Sequence, residues 1–415
     1  MLEFYVESQA QRRQLRQCPV GNYLDDFAQW LHASGYKQRP AQLILRGAAH
    51  FGHWTSQQGV PIEHIDDESI DTFVRHLSTC VCRHGFQGRD PYHRDGAQRF
   101  LAHLRTVGMV SPRVVEPVPL APWAERFGDW MCHHRGVTQG TLGVYLPVVQ
   151  EFLATLGDDT RTYDASQIRT FILAVSSRHG QSRTRSTVNA VRMFLRFLAA
   201  YGYCSADLVG AVPSIATWRL ASLPRYIDAA DIERLIGTCD LNGAAGSRDR
   251  AIILLLARLG LRAGDVRDLL LPDIDWAQGR LRVLGKGRCE SWLPLPQEGG
   301  DAILHYLEHF RPRMHDAHVF LRLHAPLAPL PSSGPISGLV RRAMKRAGIQ
   351  APSTGAHVLR HSAATAMLRQ GISLDVVGAV LRHRCLESTA HYAKVDVAML
   401  RSISQPWPIE GASRC

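Results

Sequence analysis

The sequence predicts a mainly α protein with one small β-hairpin: two helical units in series, then a larger helical domain that carries the hairpin. Three observations lead there. Apolar residues recur at helical spacing over most of the chain. The pattern of residues 20–110 returns about 100 residues later, a separation close to domain size. Only around Leu281–Leu295 does the pattern change to short strand-like runs, and these flank Gly285-Lys286-Gly287.

Taken in order, Tyr23, Phe27, Trp30 and Leu31 form one apolar stripe, and Leu43, Leu45, Phe51 and Trp54 a second. Ile70, Phe73, Val74 and Leu77 form a third, and Phe100, Leu101 and Leu104 close the unit. The prolines of 113–122 make an extended linker. Phe127 and Trp130 then match Phe27 and Trp30. Val149 and Phe152 match Ala48 and Phe51, and Ile168 and Phe171 match Ile70 and Phe73. Phe194-Leu195-Arg196-Phe197-Leu198 echoes Phe100-Leu101-Ala102-His103-Leu104. This reads as a duplicated helical unit. Arg192 and Arg196 lie one turn apart on a helix that Ser186 or Thr187 could cap.

A second linker spans 213–225, and the third domain 226–405, with a tail at 406–415. Asp228 opens one helix and Ser247 caps a strongly apolar one that stops at Gly260. After the hairpin come a basic helix, Gly338 to Gly348, and a helix within Ser353–Gly371. Ser373 caps Leu374 to Leu381, a helix that His383 ends, and Tyr392 sits on a short helix ending near Lys394. The boundaries expected are therefore 1–112, 123–212 and 226–405.

A net charge of +11 and a pI near 9.4 point to a polyanionic partner. Lysines occur only at 37, 286, 345 and 394, so the remaining basic residues are arginines. A GC-rich genome accounts for most of that ratio. It also means that lysine chemistry has few candidates. Met1 to Arg16 is polar, without the apolar core of a secretory leader, and no apolar run reaches bilayer length. Nine scattered cysteines fit a reducing cytosol better than a disulfide framework. A cytoplasmic, nucleoid-associated protein with no membrane partner is expected. His76, Cys80, Cys82, His84 and His93 lie close in sequence, but Cys80-x-Cys82 is tighter than the usual zinc spacing, so they read as helix-end and loop residues, with no metal expected.

The stretch with the most chemistry is His357-Val358-Leu359-Arg360-His361. His357 and Arg360 share one helix face, which sets a proton-exchanging imidazole beside a planar guanidinium fork, a pairing suited to a phosphate ester. Upstream stands Leu259-Gly260-Leu261-Arg262, with Asp265 after it. Downstream stands His383, nine residues before Tyr392. In this order and spacing, Arg262, Lys286, His357, Arg360, His383 and Tyr392 resemble the active site of the tyrosine recombinase (phage integrase) family, nearest in wording to its Xer-type branch. The resemblance covers about residues 226–400. Residues 123–212 resemble the family's core-binding helical domain, and 1–112 is an extra unit.

The resemblance implies two helical SAM-like DNA-binding units followed by a tyrosine recombinase catalytic domain. Tyr392 would attack phosphorus to form a 3′-phosphotyrosine. Arg262 and Arg360 would neutralise the nonbridging oxygens, and Lys286 would protonate the leaving 5′ oxygen. His357 would assist proton transfer from the tyrosine and His383 would bond the phosphate, with Asp265 and His361 in support. The covalent link conserves the energy of the broken strand, so no cofactor, metal or ATP is expected. Double-stranded DNA would be held by Arg178, Arg183, Arg185, Arg192 and Arg196, and by Arg341, Arg342, Lys345 and Arg346. The protein would form homo-oligomers on DNA, a tetramer in synapsis, coupled through the amphipathic segment Val395–Ile403. Partner recombinases or accessory proteins fit the same picture, as does a mobile element as the source. A type IB topoisomerase-like relaxing enzyme and a catalytically silent DNA-binding subunit are the rival readings. The sequence departs from the family at Leu381-Arg382-His383, where glycine commonly precedes the histidine. Arg382 adds bulk and charge at a tight place, which bears on rate and regulation more than on class.

Overall fold

A computed structural model describes residues 1–82, 91–112, 120–215, 225–285, 290–351, 353–383, 389 and 392–393. It resolves into two compact units, one made of 1–113 with 219–415 and the other of 114–218. Among the described residues, no helix is long and apolar enough to cross a membrane.

The first helical body comprises α1 (Leu2–Tyr5), α2 (Gln9–Arg16), α3 (Gly21–Ala33), α4 (Gln38–Gln57), α5 (Asp67–Ser78) and α6 (Pro91–Thr106). Phe27, Phe51, Phe73 and Phe100 are fully buried at its centre. Each contributes about 1.5–3 kcal/mol by leaving water. Helices α4 and α6 touch backbone to backbone. A Cβ on Gly47 would come within 2.8 Å of the Tyr92 carbonyl oxygen, and one on Gly96 within 2.5 Å of the Ile44 carbonyl oxygen. Asp66 starts α5 in a capping box with Ser69.

The second body comprises α7 (Pro122–Arg135), α8 (Gln139–Leu156), α9 (Ala165–Arg178), α10 (Gln181–Ala200) and α11 (Leu208–Ala211). Its aromatic pairs repeat those of the first. Phe27 meets Phe100 at 5.3 Å and Phe127 meets Phe194 at 5.5 Å, both edge-on. Phe51–Phe73 and Phe152–Phe171 are each 5.1 Å apart. Trp30 lies 5.9 Å from His103, and Trp130 lies 5.8 Å from Phe197. Asp164 caps α9 in a box with Gln167, as Asp66 caps α5. Pro122, placed in the linker by sequence, is the first residue of α7, where its missing N–H costs nothing. Helix α10 starts at Gln181, so Ser186 and Thr187 lie inside it rather than at its cap. The apolar stripe runs back through Thr184, which is buried, and carries the helix past them.

The third body comprises α12 (Ala229–Gly237), α13 (Ala244–Arg258), α14 (Ala263–Arg267), β1 (Ile274–Asp275), β2 (Arg280–Leu284), β3 (Glu290–Pro294), α15 (Gln297–His309), α16 (Gly334–Arg346), α17 (Ala356–Arg369) and α18 (Leu374–Val380). The strands form one antiparallel sheet in the order β1-β2-β3. The hairpin is where its sequence placed it; β1, two residues long, is too short for alternation to reveal. Ile252 to Leu256 are all buried, so α13 is the central helix, packed by α12, α15 and α17. It begins at Ala244, and Ser247 instead bonds His305 Nδ1 at 2.9 Å. The core of α13 fixes the chain that follows it, Gly260-Leu261-Arg262, against α17.

Candidate active site

Gly260 makes the turn out of α13 with φ +59°, and a Cβ there would meet Leu381 Cδ2 at 2.6 Å. The left-handed φ favours glycine, and an added Cβ would have to displace the Leu381 side chain. The turn lets the Gly260 carbonyl accept from Arg360 Nη1 at 2.5 Å. Arg360 Nη2 donates to the Leu381 carbonyl. Arg360, only 2 % exposed, thereby ties α17 to the ends of α13 and α18. Burial, then the nearby Arg262 charge, push its pKa down to about 10.

Arg262 is the N-cap of α14, and its backbone N–H donates to Asp265 Oδ2 at 2.9 Å. Its Nη2 donates to the Arg382 carbonyl at 3.1 Å, while its Nη1 is buried without a hydrogen-bond partner. Arg382 donates from Nη2 to the same Asp265 oxygen. Both of these side chains are 8 % exposed, and Arg382 Nε and Nη1 are buried without partners. Three arginines and one carboxylate therefore lie together, and of the three guanidiniums it is that of Arg382 that bonds Asp265. A site with that balance suits an anion, and a metal cation poorly.

Tyr392 is 2 % exposed, and its hydroxyl lies 2.7 Å from His361 Nδ1. Burial pushes its pKa up to about 12, against the opposing pull of the Arg360 charge. The ring of His357 packs edge-on against His361, 4.3 Å between centroids. Desolvation, then Arg360 and Arg262, lower the pKa of His357. His383 stacks parallel to Tyr392 at 6.2 Å, and its Nδ1 meets Thr389 Oγ1 at 2.8 Å. Desolvation first, then the Arg360, Arg262 and His357 charges, push it down to about 4, so it is neutral at physiological pH. The arrangement offers a buried phenol next to an imidazole, beside guanidiniums with free donors. That is the equipment for nucleophilic attack on a phosphate ester.

The structure thus brings together Arg262, His357, Arg360, His383 and Tyr392, with Asp265 and His361 beside them. Lys286 lies outside the described residues, as does the segment Val395–Ile403. His361, which the sequence placed in support, contacts the tyrosine hydroxyl. Thr389 carried no sequence signal; Arg382 was flagged by its departure from the family pattern, but its bond to Asp265 was not. Of the expected DNA-contacting residues, Arg183, Arg185 and Arg196 are exposed on α10, and Arg341, Arg342, Lys345 and Arg346 on α16. Arg178 is paired with Glu151 at 2.8 Å. Arg192 is half-buried and holds the Val212 and Pro213 carbonyls, each at 3.3 Å, so it pins the end of its own body.

Residues 225–399 match the Phage integrase family. The y4rA protein of Sinorhizobium fredii (strain NBRC 101917 / NGR234), named as an integrase/recombinase, is 37 % identical over 402 residues, covering 94 % of this chain and 95 % of that protein. Two solved structures share the fold. The XerH site-specific recombinase, in a post-cleavage complex on its palindromic difH substrate, matches with TM-score 0.55 and 16 % identity over 82 % of this chain and 97 % of its own. The Tn1549 transposon integrase, in complex with circular intermediate DNA, matches with TM-score 0.52 and 14 % identity over 68 % of this chain and 99 % of its own. These matches do not favour the topoisomerase-like or catalytically silent readings. The chain belongs to the phage integrase family: it is a site-specific tyrosine recombinase, an enzyme that cleaves and rejoins DNA strands through a phosphotyrosine intermediate.

Proposed function

We propose that this recombinase moves a mobile element, cutting each strand with Tyr392 at sites built as inverted repeats. One observation carries the site assignment: the Arg262, Arg360 and Arg382 side chains gather near a single carboxylate, Asp265, which accepts from the Arg262 backbone N–H and the Arg382 guanidinium, leaving buried donors on Arg262 and Arg382 without acceptors. A buried unsatisfied donor costs about 1–3 kcal/mol, and a scissile phosphate would supply both the missing acceptors and the missing negative charge. Tyr392 Oη bonds to phosphorus as the P–O5′ bond breaks. The phenol proton passes to His361, with His357 next to it, and Lys286 protonates the departing 5′ oxygen. Thr389 donates to His383 Nδ1, which leaves Nε2–H to bond a phosphate oxygen.

The first and second bodies would clasp the DNA backbone, the second through Arg183, Arg185 and Arg196, and the third body would add the basic face of α16. Two protomers on one inverted repeat, and four when two sites pair, complete the assembly on the nucleoid. The XerH complex on a palindromic substrate and the Tn1549 integrase, from a transposon, support this reading. A nicked suicide duplex tests it. Wild type should accumulate a covalent protein–DNA adduct and Tyr392→Phe none; an adduct persisting in the variant would move the nucleophile elsewhere.

A further inference from the structure

The crossing of α4 and α6 at Gly47 and Gly96 brings His50 of α4 and His93 of α6 together, Nδ1 to Nδ1 at 3.2 Å. Helix α5 ends against them. His76 stands in its last turn, and the chain leaves through Cys80 and Cys82. One donor atom from each of His50, His76, Cys80 and Cys82 lies within 4.8 Å of the other three. Cys80 Sγ is 3.5 Å from His50 Nε2, and Cys82 Sγ is 3.3 Å from His76 Nε2. Zinc bond lengths and tetrahedral angles put a sulfur and a nitrogen on the same ion about 3.5–3.6 Å apart. Two edges of such a tetrahedron are therefore nearly at length.

We propose that the first helical body holds a structural zinc ion on His50, His76, Cys80 and Cys82. Four protein ligands fill the coordination sphere, which is the pattern of structural rather than catalytic sites. Binding deprotonates both thiols, releasing two protons to solvent. Two thiolates, two neutral imidazoles and Zn²⁺ sum to zero charge, which suits a site where His50 is fully buried and the other three half-buried. With Nε2 on the metal, His50 donates from Nδ1 to His93, the kind of outer hydrogen bond that orients metal-bound histidines. The ion would staple the C-terminal end of α5 to α4, with α6 behind it. The sequence set zinc aside because Cys80-x-Cys82 is tighter than the usual pair; the fold adds His50, far upstream, to the set.

The test uses the full chain, with any affinity tag removed and thiols kept reduced. After dialysis against metal-free buffer, mass spectrometry of the elements should find about one zinc per chain, and almost none in Cys80→Ser/Cys82→Ser. Cobalt(II) reconstitution should give the ligand-field bands of a tetrahedral ion together with thiolate charge transfer. In case the double variant fails to fold, His93→Gln keeps all four ligands and should retain the tetrahedral cobalt spectrum, with affinity weaker by about 10–100-fold. A wild-type chain that carries no zinc and takes up no cobalt overturns the proposal. So does full metal content in a folded Cys80→Ser/Cys82→Ser variant, or a Cys80–Cys82 disulfide in protein whose thiols were blocked at lysis.

Discussion

Arg382 stands at a backbone position that glycine would prefer. Its φ is 54°, and the left-handed region costs an L-residue about 1–2 kcal/mol. Its side chain bonds Asp265 while its carbonyl accepts from Arg262, so it braces that arginine from two sides. Arg382→Gly should relieve the backbone, free Asp265 and remove one positive charge. Single-turnover cleavage is expected to fall about 10–100-fold, the loss of one charge-assisted hydrogen bond. On a substrate with a neutral methylphosphonate at the scissile position that gap should narrow; a gap of the same size on both would leave Arg382 as scaffold alone. Lys286→Ala should slow cleavage about 10²–10⁴-fold on ordinary DNA, yet approach wild type on a 5′-bridging sulfur substrate, whose thiolate leaves without a proton. Arg262→Ala should gain nothing from the sulfur, and equal failure of both variants would remove Lys286 from the acid role. His383 titrates near 4 when folded, below its ordinary 6.5. The unfolded chain therefore binds the extra proton first, and DNA-free protein should lose stability as pH falls from about 6.5 toward 4. Urea midpoints at pH 7 and pH 5 should differ more in wild type than in His383→Asn.

At the scale of elements, two glycines with opposite surroundings make a paired test. Gly47 lies where α4 meets α6, and a Cβ there would press on the Tyr92 carbonyl and His93 Cα. Gly47→Ala should destabilise the first body by about 1–3 kcal/mol through overpacking. Gly143 is exposed on α8 with no atom within 4 Å of an added Cβ. Gly143→Ala should stabilise the second body by about 0.5–1 kcal/mol, because alanine loses less backbone entropy in a helix. Denaturation curves on the full chain read both, and a neutral Gly47→Ala would mean that the helices separate at little cost. Beyond Tyr392, the amphipathic segment Val395–Ile403 is proposed as the exchange element. Truncation after Val395 should keep half-site binding and abolish cooperative assembly on paired sites; fully paired complexes from the truncated protein would remove it from that role.

At the scale of the molecule, the first and third bodies belong to one compact unit although a whole body separates them in sequence. Leu327 N–H donates to the Ser34 carbonyl at 3.0 Å, and Ala325 packs against the first body's core. Deleting 1–112 should therefore do two things. The DNA footprint should shorten and the salt dependence of binding should flatten, since fewer phosphates are contacted. The melting temperature of the remaining chain should also fall, because the surface around Ala325 and Leu327 loses its cover. Suicide-substrate adducts should stay detectable at high protein concentration. An unchanged footprint would reassign the first body to protein contacts.

Helices, the hairpin and the order of the site residues were legible in the sequence because they are written locally. Apolar spacing encodes a helix wherever it later packs, and His357 and Arg360 share a face by their separation alone. The recurrence of Phe27, Phe51, Phe73 and Phe100 as Phe127, Phe152, Phe171 and Phe194 was equally plain, and the same ring pairs form in both bodies. What the tertiary structure decided were meetings between distant segments. His357 and His361 occupy adjacent turns of one helix, and only the placement of Tyr392 selects His361 as its contact. Arg192 looked like Arg196 in sequence, yet the end of the second body folds back under it and engages it. His50 joins Cys80 because α5 packs beside α4 and ends next to it, and no local pattern records that approach. Local periodicity reports what each segment buries; which segment it is buried against depends on side-chain volume and backbone clearance across the whole fold.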